Sequence, residues 1–165
     1  MPNRCLIVSS MNQKNYHLIH ANVAIMQAPL DDPIMADFVN QVDEINVLAQ
    51  ESPAFVAQPT PKDEGQVFTG KALLNLSVWE SVESLDRFTH DGQHALALER
   101  RAEWFEQHDR PNYVLYWVAA GNIPTEAEVK QRIEYLAKHG PTPLAFKFEQ
   151  RFTVEEMLAY SPEQD

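Results

Sequence analysis

The sequence predicts an α+β fold in which an antiparallel sheet carries its helices on one face. Segments with hydrophobic residues at every second position alternate along the chain with segments at the helical period of about 3.6 residues. The length of 165 residues corresponds to one domain. A hydrophobic content of 44% and a charged content of 22% support a sizeable core and exclude a disordered chain.

The first strand is predicted over residues 16–25, and a helix follows it. One side of the strand carries Ile19, Ala21, Val23 and Ile25, and the other carries Leu18, His20, Asn22 and Ala24. Asp32 suits the helix N-cap and Pro33 suits the first helical position. Hydrophobic residues then recur at helical spacing until Ser52-Pro53 ends the helix.

The second and third strands are predicted to be joined by a long polar loop. Phe55-Val56 begins the second strand, the loop extends from Gln58 to Gly70, and residues 71–79 form the third strand. One side of the third strand carries Ala72, Leu74, Leu76 and Val78, and the other carries Leu73, Asn75, Ser77 and Trp79. The side with Ile19 and Leu74 is called the aliphatic face below, and the side with Asn22 and Asn75 the mixed face.

The helix after the third strand begins at Ser81, which can cap it. Asp91-Gly92 interrupts this helix, and a further helical segment follows. The core positions are Val82, Leu85 and Phe88 in the first segment and Ala95, Leu98, Ala102 and Phe105 in the second.

An aromatic strand, a capped helix and a last strand complete the predicted elements. The aromatic strand covers residues 113–119. Thr125 and Glu128 form a capping-box pattern, and Gly140-Pro141 suits the end of that helix. Residues 144–148 are predicted to form the last strand.

The predicted order is β-α-β-β-α-β-α-β, and its first six elements match the split β-α-β pattern of a ferredoxin-like fold. We assign residues 16–152 to this single domain. Residues 1–15 form an N-terminal extension, in which Met11 is an alternative start, and residues 153–165 form an acidic tail.

The two faces of the predicted sheet differ in composition. The aliphatic face suits a covering of helices, whereas the mixed face is too apolar for solvent and too polar for a dry core. Exposure of Leu73 and Trp79 to water would cost about 1.5–3 kcal/mol for each side chain. We therefore expect a second copy of the chain to close the mixed face, which gives a homodimeric barrel with a partly polar cavity. A half-exposed mixed face is the alternative.

Charge and motif content exclude several classes of function. The formal net charge is −11 and the basic residues are not clustered, so neither nucleic acid nor an anionic membrane is an expected partner. Cys5 is the only cysteine, which excludes an internal disulfide and a cysteine-based zinc site. No apolar run is long enough to span a membrane, and we expect a cytoplasmic protein. The chain has no glycine-rich phosphate loop, nucleophile elbow or zinc-protease motif, and we assign no metal site.

Five polar residues are candidates for chemistry. His94 borders the apolar face of its helix and is a candidate general base or ligand contact; a half-buried histidine at a helix start is the alternative. Because asparagine is disfavoured in strands, Asn22 and Asn75 are either ligand-binding amides or part of a network between strands. We take His94 and Asn22 as candidate catalytic residues, and His20, Asn75 and Ser77 as candidate ligand contacts.

Aromatic residues are candidates for the walls of a binding cavity. The candidates are Trp79, Trp104, Phe105 and Trp117. Packing in the core is the alternative for each of them, because large aromatic side chains bury well.

The whole-chain pattern resembles a domain of unknown function, family 3291. The resemblance begins with the run from Leu74 to Leu85 and continues at Phe88, His94 and Trp104-Phe105. The segments around Asn22, Asp43 to Asn46, Ser52-Pro53, Gly121 to Thr125 and Gly140 to Pro143 fit the same pattern. This family is similar to the dimeric α+β barrels that include antibiotic biosynthesis monooxygenases. It typically has glycine before the Phe55 position and a Trp-Arg pair after Val56, whereas this chain has Ala54 and Ala57-Gln58.

The resemblance and the strand faces together leave three functions open. The first is a homodimer that binds a small hydrophobic or aromatic molecule without a resident cofactor and acts as a monooxygenase-like enzyme through Asn22 and His94. The second is a non-catalytic dimeric binding or scaffold module. The third is haem binding. It follows from the resemblance to haem-degrading members of the superfamily, in which a helix histidine at a position similar to that of His94 holds the iron.

Overall fold

Strands and helices occupy most of the residues that the computed structural model describes, which are 14–59, 72–90, 100–107 and 111–162. The strands are β1 (Tyr16–Ile25), β2 (Phe55–Ala57), β3 (Ala72–Trp79) and β4 (Tyr113–Ala119). The helices are α1 (Ala36–Gln50), α2 (Val82–His90), α3 (Arg101–Trp104), α4 (Glu126–His139) and α5 (Val154–Ala159), and a 3-10 turn over Pro33–Met35 leads into α1. The predicted mixed α+β architecture is confirmed.

The four strands form one antiparallel sheet in the order β2-β3-β1-β4. Strand β1 pairs with both β3 and β4, and Asn22 lies opposite Asn75 on one side and Tyr113 on the other. Because successive side chains of a strand point to opposite faces, this register brings the polar positions of β1 and β3 together on the mixed face.

Side chains cap the helices where the sequence predicts helix starts. Asp32, Ser81 and Thr125 each accept a hydrogen bond from a backbone N–H of the first turn, at 3.0 to 3.2 Å. At the end of α4, Gly140 has a φ of 71°, a left-handed conformation that favours glycine. These predicted boundaries are confirmed.

Helices cover both faces of the sheet, so the prediction of helices on one face is wrong. The cluster on the mixed face consists of Leu18, Trp79, Leu115 and Trp117 from the sheet with Ala49 of α1, Val82 and Leu85 of α2, Phe146 and Val154. On the aliphatic face, Val129 and Leu136 of α4 pack against Ile19 and Val114. The mixed face is therefore covered by helices of the same chain, and Trp79 is fully buried and Leu73 half-buried without a second copy.

The C-terminal part of the chain departs from two predictions. Residues 144–148 form no strand and pair with the β4 backbone through a single bridge between Leu115 and Phe146, with both hydrogen bonds at 2.9 Å. Tight turns before and after Phe146 prevent a longer extended run. The expected acidic tail begins with the helix α5, whose N-cap Thr153 is part of a capping box and whose Val154 is fully buried.

Other predictions fall outside the described residues. They concern the N-terminal extension up to residue 13, the loop over residues 60–71, and residues 91–99 around the predicted helix interruption. Within the described ranges, none of the helices is long and apolar enough to cross a membrane.

Candidate functional site

A cavity of about 250 Å³ lies between α1 and the mixed face of the sheet, beside α3. From α1 it is lined by Phe38, Val42 and Ile45. These three residues follow helical spacing, so a single stripe of α1 faces the sheet. The opposite wall comes from β1 and β3 and includes Asn22 and Asn75. The cavity therefore occupies the part of the mixed face where polar residues interrupt the apolar packing.

Asn22 carries a buried amide oxygen without a partner. Its Oδ1 atom accepts no hydrogen bond from any described residue. Buried polar atoms are nearly always hydrogen-bonded, and one that is not costs about 1–3 kcal/mol. Asn22 therefore brings to the cavity lining an amide oxygen that has no partner among the described residues.

Asn75 is held differently from Asn22, although the two lie opposite each other in the sheet. The Nε2 group of Gln58 donates to Asn75 Oδ1 at 3.3 Å and to Asn46 Oδ1 at 3.0 Å. All three amides line the cavity, and Gln58 and Asn75 are exposed. This cluster ties α1 to β3 at the edge of the cavity, so Asn75 has a structural role even without a ligand.

An aromatic wall formed by Phe38, Trp104 and Phe105 bounds the cavity near α3. The ring centroids of Phe38 and Trp104 are 5.6 Å apart, and those of Phe38 and Phe105 are 5.0 Å apart at an interplanar angle of 87°. Such edge-to-face contacts fix ring orientation. The wall therefore offers a rigid apolar surface to a flat molecule.

Arg101 is the one charged residue among the described residues of the lining. It is partly buried, and burial lowers the pKa of its guanidinium below the ordinary value of 12.5. Within the described ranges no carboxylate pairs with it. The preceding Arg100, by contrast, bonds Asp37 at 2.8 Å and Glu103 at 2.7 Å. Arg101 thus brings an unneutralised positive charge to the cavity.

The structure places four of the predicted site residues at the cavity. Asn22, Asn75, Trp104 and Phe105 all line it. His94, the predicted catalytic partner of Asn22, lies outside the described residues. The predicted pairing of these two residues is therefore still a prediction.

The other four predicted site residues lie further along the mixed face, away from the cavity lining. Trp79 and Trp117 are buried in the core. The Trp79 Nε1 group donates to Ser77 Oγ at 2.9 Å, and Trp117 Nε1 donates to the Phe152 carbonyl at 2.8 Å. His20 Nδ1 is 3.5 Å from the same Ser77 hydroxyl. Here the alternative of core packing with satisfied polar groups describes the two tryptophans.

Sequence reasoning missed Phe38, Gln58 and Arg101 as site residues. Phe38 was predicted on a helix, but helical spacing does not say which face of the sheet the helix will cover. Arg101 belongs to a basic pair flanked by glutamates, a pattern typical of a solvated surface. The signal for Arg101 was the aromatic pair Trp104 and Phe105, three and four residues later in the chain.

The chemistry of the described lining is that of amides, aromatic rings and one guanidinium. It contains no carboxylate and no imidazole among the residues that the structure describes. Across the described ranges, no group of three or more histidine, cysteine, aspartate or glutamate residues could hold a metal ion. Groups of this kind are able to bind and orient a molecule, but the described residues of the lining provide no general base.

Comparisons with known proteins show the family of the chain. A conserved protein from Methanosarcina mazei Go1 is similar in structure, with a TM-score of 0.47, 10% identity, and coverage of 65% of this chain and 95% of that one. PA3566 from Pseudomonas aeruginosa has a TM-score of 0.39 and 11% identity, with coverage of 65% and 94%. No curated protein matches the chain significantly. The model of the domain of unknown function DUF3291 matches residues 17–161, and the chain therefore belongs to the DUF3291 family.

Proposed function

We propose that this protein binds a small molecule with an apolar or aromatic body in the cavity between α1 and the mixed face. The proposal is carried by a cavity of about 250 Å³ that Asn22 lines beside an aromatic wall, together with the Asn22 Oδ1 atom, which has no hydrogen-bond partner among the described residues. Aromatic residues alone are typical of a core, but cores are close-packed and satisfy their polar atoms. A bound molecule fills the space and donates a hydrogen bond to Asn22.

The size of the cavity sets the size of the ligand. Pockets for drug-sized molecules measure about 300–1,000 Å³. The cavity of about 250 Å³ lies just below that range and fits a molecule of one or two rings. A haem is larger than a drug-sized ligand, and Arg101 alone cannot pair with both of its propionates. The described residues therefore do not fit haem, and we derive no role for it.

Monooxygenase-like catalysis on the bound molecule remains a prediction. It requires a base that removes a proton from the substrate, and that role was assigned to His94. The described lining orients a substrate through Asn22 and the aromatic wall. We therefore place binding first and catalysis second in this proposal.

The ferredoxin-like topology belongs to the same proposal. The strand order β2-β3-β1-β4, with β1 antiparallel to both of its neighbours, supports it.

The predicted homodimer needs a new contact surface, because the mixed face is covered by helices of the same chain. Four apolar residues packed against the core of the aliphatic face are only partly buried. They are Val23, Leu74 and Val118 of the sheet and Ile133 of α4. They support contact with a second copy at that face. Sedimentation velocity should show a dimer, and a monomer at high protein concentration would contradict this part of the proposal.

A substitution that fills the cavity tests the proposed binding. Ala24 is buried on β1 and lines the cavity, whereas Ala119 is exposed at the end of β4. A library of one-ring and two-ring fragments is screened by ligand-observed NMR against the wild type, Ala24→Leu and Ala119→Leu. Fragments should bind the wild type and Ala119→Leu but not Ala24→Leu. Circular dichroism checks that the overpacked variant is folded.

Two outcomes contradict the proposal. Fragments that bind Ala24→Leu as well as the wild type occupy another site. A wild-type dimer that binds no fragment and carries no co-purified molecule in native mass spectrometry favours the scaffold module instead.

A further inference from the structure

We infer that the ligand of this cavity is a small aromatic carboxylate and that Arg101 binds its carboxylate group. This inference rests on the proposed function and names the class of molecule that the cavity accepts. The role assigned to Arg101 is not indicated by its sequence, where it belongs to a basic pair flanked by glutamates.

The first argument is the contrast between two adjacent arginines. Arg100 is neutralised on the protein surface by Asp37 and Glu103. Arg101 lines the cavity and has no carboxylate partner within the described ranges. A partly buried charge is unfavourable unless it is paired. In a chain with 24 acidic and 13 basic residues, an arginine without an acidic partner at a cavity indicates that the partner comes from the ligand.

The second argument is the position of the charge relative to the aromatic wall. The Cζ atom of Arg101 lies 6.0 Å from the ring centroid of Phe105, and the Phe105 ring packs edge-to-face on Phe38. A guanidinium binds a carboxylate through two parallel hydrogen bonds. A ligand that pairs with Arg101 therefore places the group attached to its carboxylate against the aromatic wall, and a flat ring suits that surface.

The third argument is the oxygen of Asn22. As an acceptor, it disfavours an anionic oxygen and favours a hydroxyl or amine hydrogen. The cavity thus offers a positive charge, an aromatic surface and a hydrogen-bond acceptor together. A ring that carries a carboxylate and a separate hydroxyl or amine group complements all three features.

The test compares 4-substituted phenols whose substituent is anionic, neutral or cationic. Binding of 4-hydroxybenzoate, 4-hydroxybenzamide and 4-hydroxybenzylamine is measured by isothermal titration calorimetry. The wild type should bind the carboxylate about tenfold more tightly than the neutral amide, and the cationic amine least. Arg101→Gln should remove the preference for the carboxylate, while Arg101→Lys should keep part of it because the charge remains.

Arg87→Gln is the matched control, since Arg87 is exposed on α2 and is not part of the described lining. This variant removes the same charge from the protein and should keep the wild-type preference. A preference lost equally in Arg87→Gln and Arg101→Gln would show a general effect of net charge and overturn the assignment to Arg101. Circular dichroism and the binding of 4-hydroxybenzamide check that Arg101→Gln is folded.

The outcomes separate this inference from the proposed function. If the wild type binds the amide or the amine as tightly as the carboxylate, small-molecule binding stands and the anion inference is wrong. If none of the three probes binds and the fragment screen also finds no ligand, both the proposed function and this inference are wrong.

Discussion

Replacement of Tyr116 by phenylalanine should stabilise the protein. Tyr116 lies on β4, is fully buried beneath α4, and its hydroxyl has no hydrogen-bond partner among the described residues. Burial raises the pKa of Tyr116 well above its ordinary value of 10.0; the Glu128 charge adds to this effect and Arg132 opposes it. The Arg132 guanidinium packs 4.6 Å from the ring centroid, a contact that phenylalanine retains.

The size of the effect follows from one oxygen atom. A buried hydroxyl without a partner costs about 1–3 kcal/mol. Its removal leaves a space of about 10–15 Å³, the size of one probe sphere, which costs roughly 0.3 kcal/mol at about 24 cal/mol per Å³. Tyr116→Phe should therefore raise the free energy of unfolding by about 1–2.5 kcal/mol. The melting temperature should rise by about 2–4 °C for each kcal/mol.

Urea unfolding followed by tryptophan fluorescence measures the change, as a higher midpoint with an unchanged slope. Tyr113→Phe is the matched control. The Tyr113 hydroxyl accepts a hydrogen bond from the Phe148 N–H at 3.2 Å and donates one to Glu149 at 3.3 Å. Its removal should lower the free energy of unfolding by about 1 kcal/mol, because a backbone donor loses its partner.

The pH dependence of the unfolding free energy is an independent test of the same prediction. The pKa of Tyr116 is raised in the folded state, so the folded protein favours the protonated phenol. The part of the unfolding free energy that depends on this protonation is fully present below about pH 10, and it is lost as the pH rises above the pKa of an unfolded tyrosine. Tyr116→Phe should remove this alkaline loss. If the variant is instead less stable than the wild type, by as much as Tyr113→Phe, then the Tyr116 hydroxyl has a partner in solution and the reasoning is refuted.

Three further predictions concern local structure. Burial raises the pKa of Asp86, but hydrogen bonds from Arg151 and His90 outweigh this effect and keep that pKa below 3.8. The resulting stabilisation is present above about pH 4 and is lost as the pH falls through the folded pKa. Urea unfolding should therefore show that Asp86→Asn loses up to about 1 kcal/mol at neutral pH and little in acid. Ala54 has a left-handed φ of 64°, a conformation that is strained for alanine and not for glycine. Ala54→Gly should therefore raise the unfolding free energy by about 1 kcal/mol, and an unchanged midpoint of urea unfolding would contradict this strain. Thr153→Ala removes the cap of α5 and should lower the melting temperature through a loss of about 1 kcal/mol, whereas Thr153→Ser should not.

The candidate site was predictable where it depended on the strands. Asn22 and Asn75 stood out as polar residues in apolar strands, and the antiparallel register places them opposite each other. Trp104 and Phe105 were predicted as aromatic walls and line the cavity. Phe38 and Arg101 were not predicted, because their place in the site depends on where two helices dock. The same dependence explains why Trp79 and Trp117 are core residues rather than cavity walls.

The local structure of this protein could be predicted from its amino-acid sequence. The alternation over residues 16–25 and 113–119 predicts β1 and β4 with the observed bounds, and the caps at Asp32, Ser81 and Thr125 mark the starts of their helices. These features depend on residues only a few positions apart, through side-chain alternation and capping of the first turn. They are therefore visible without any knowledge of the fold.

The surface that each helix covers could not be predicted from the sequence and became visible in the folded structure. Both faces of the sheet are apolar enough to bury a helix, so composition could not assign α1 and α2 to the mixed face or α4 to the aliphatic face. That choice depends on the combined burial of side chains distant in sequence, such as Leu18 with Val154. The cavity exists because α1 docks over the polar end of the mixed face, where among the described residues the Asn22 oxygen has no hydrogen-bond partner and Arg101 has no acidic partner.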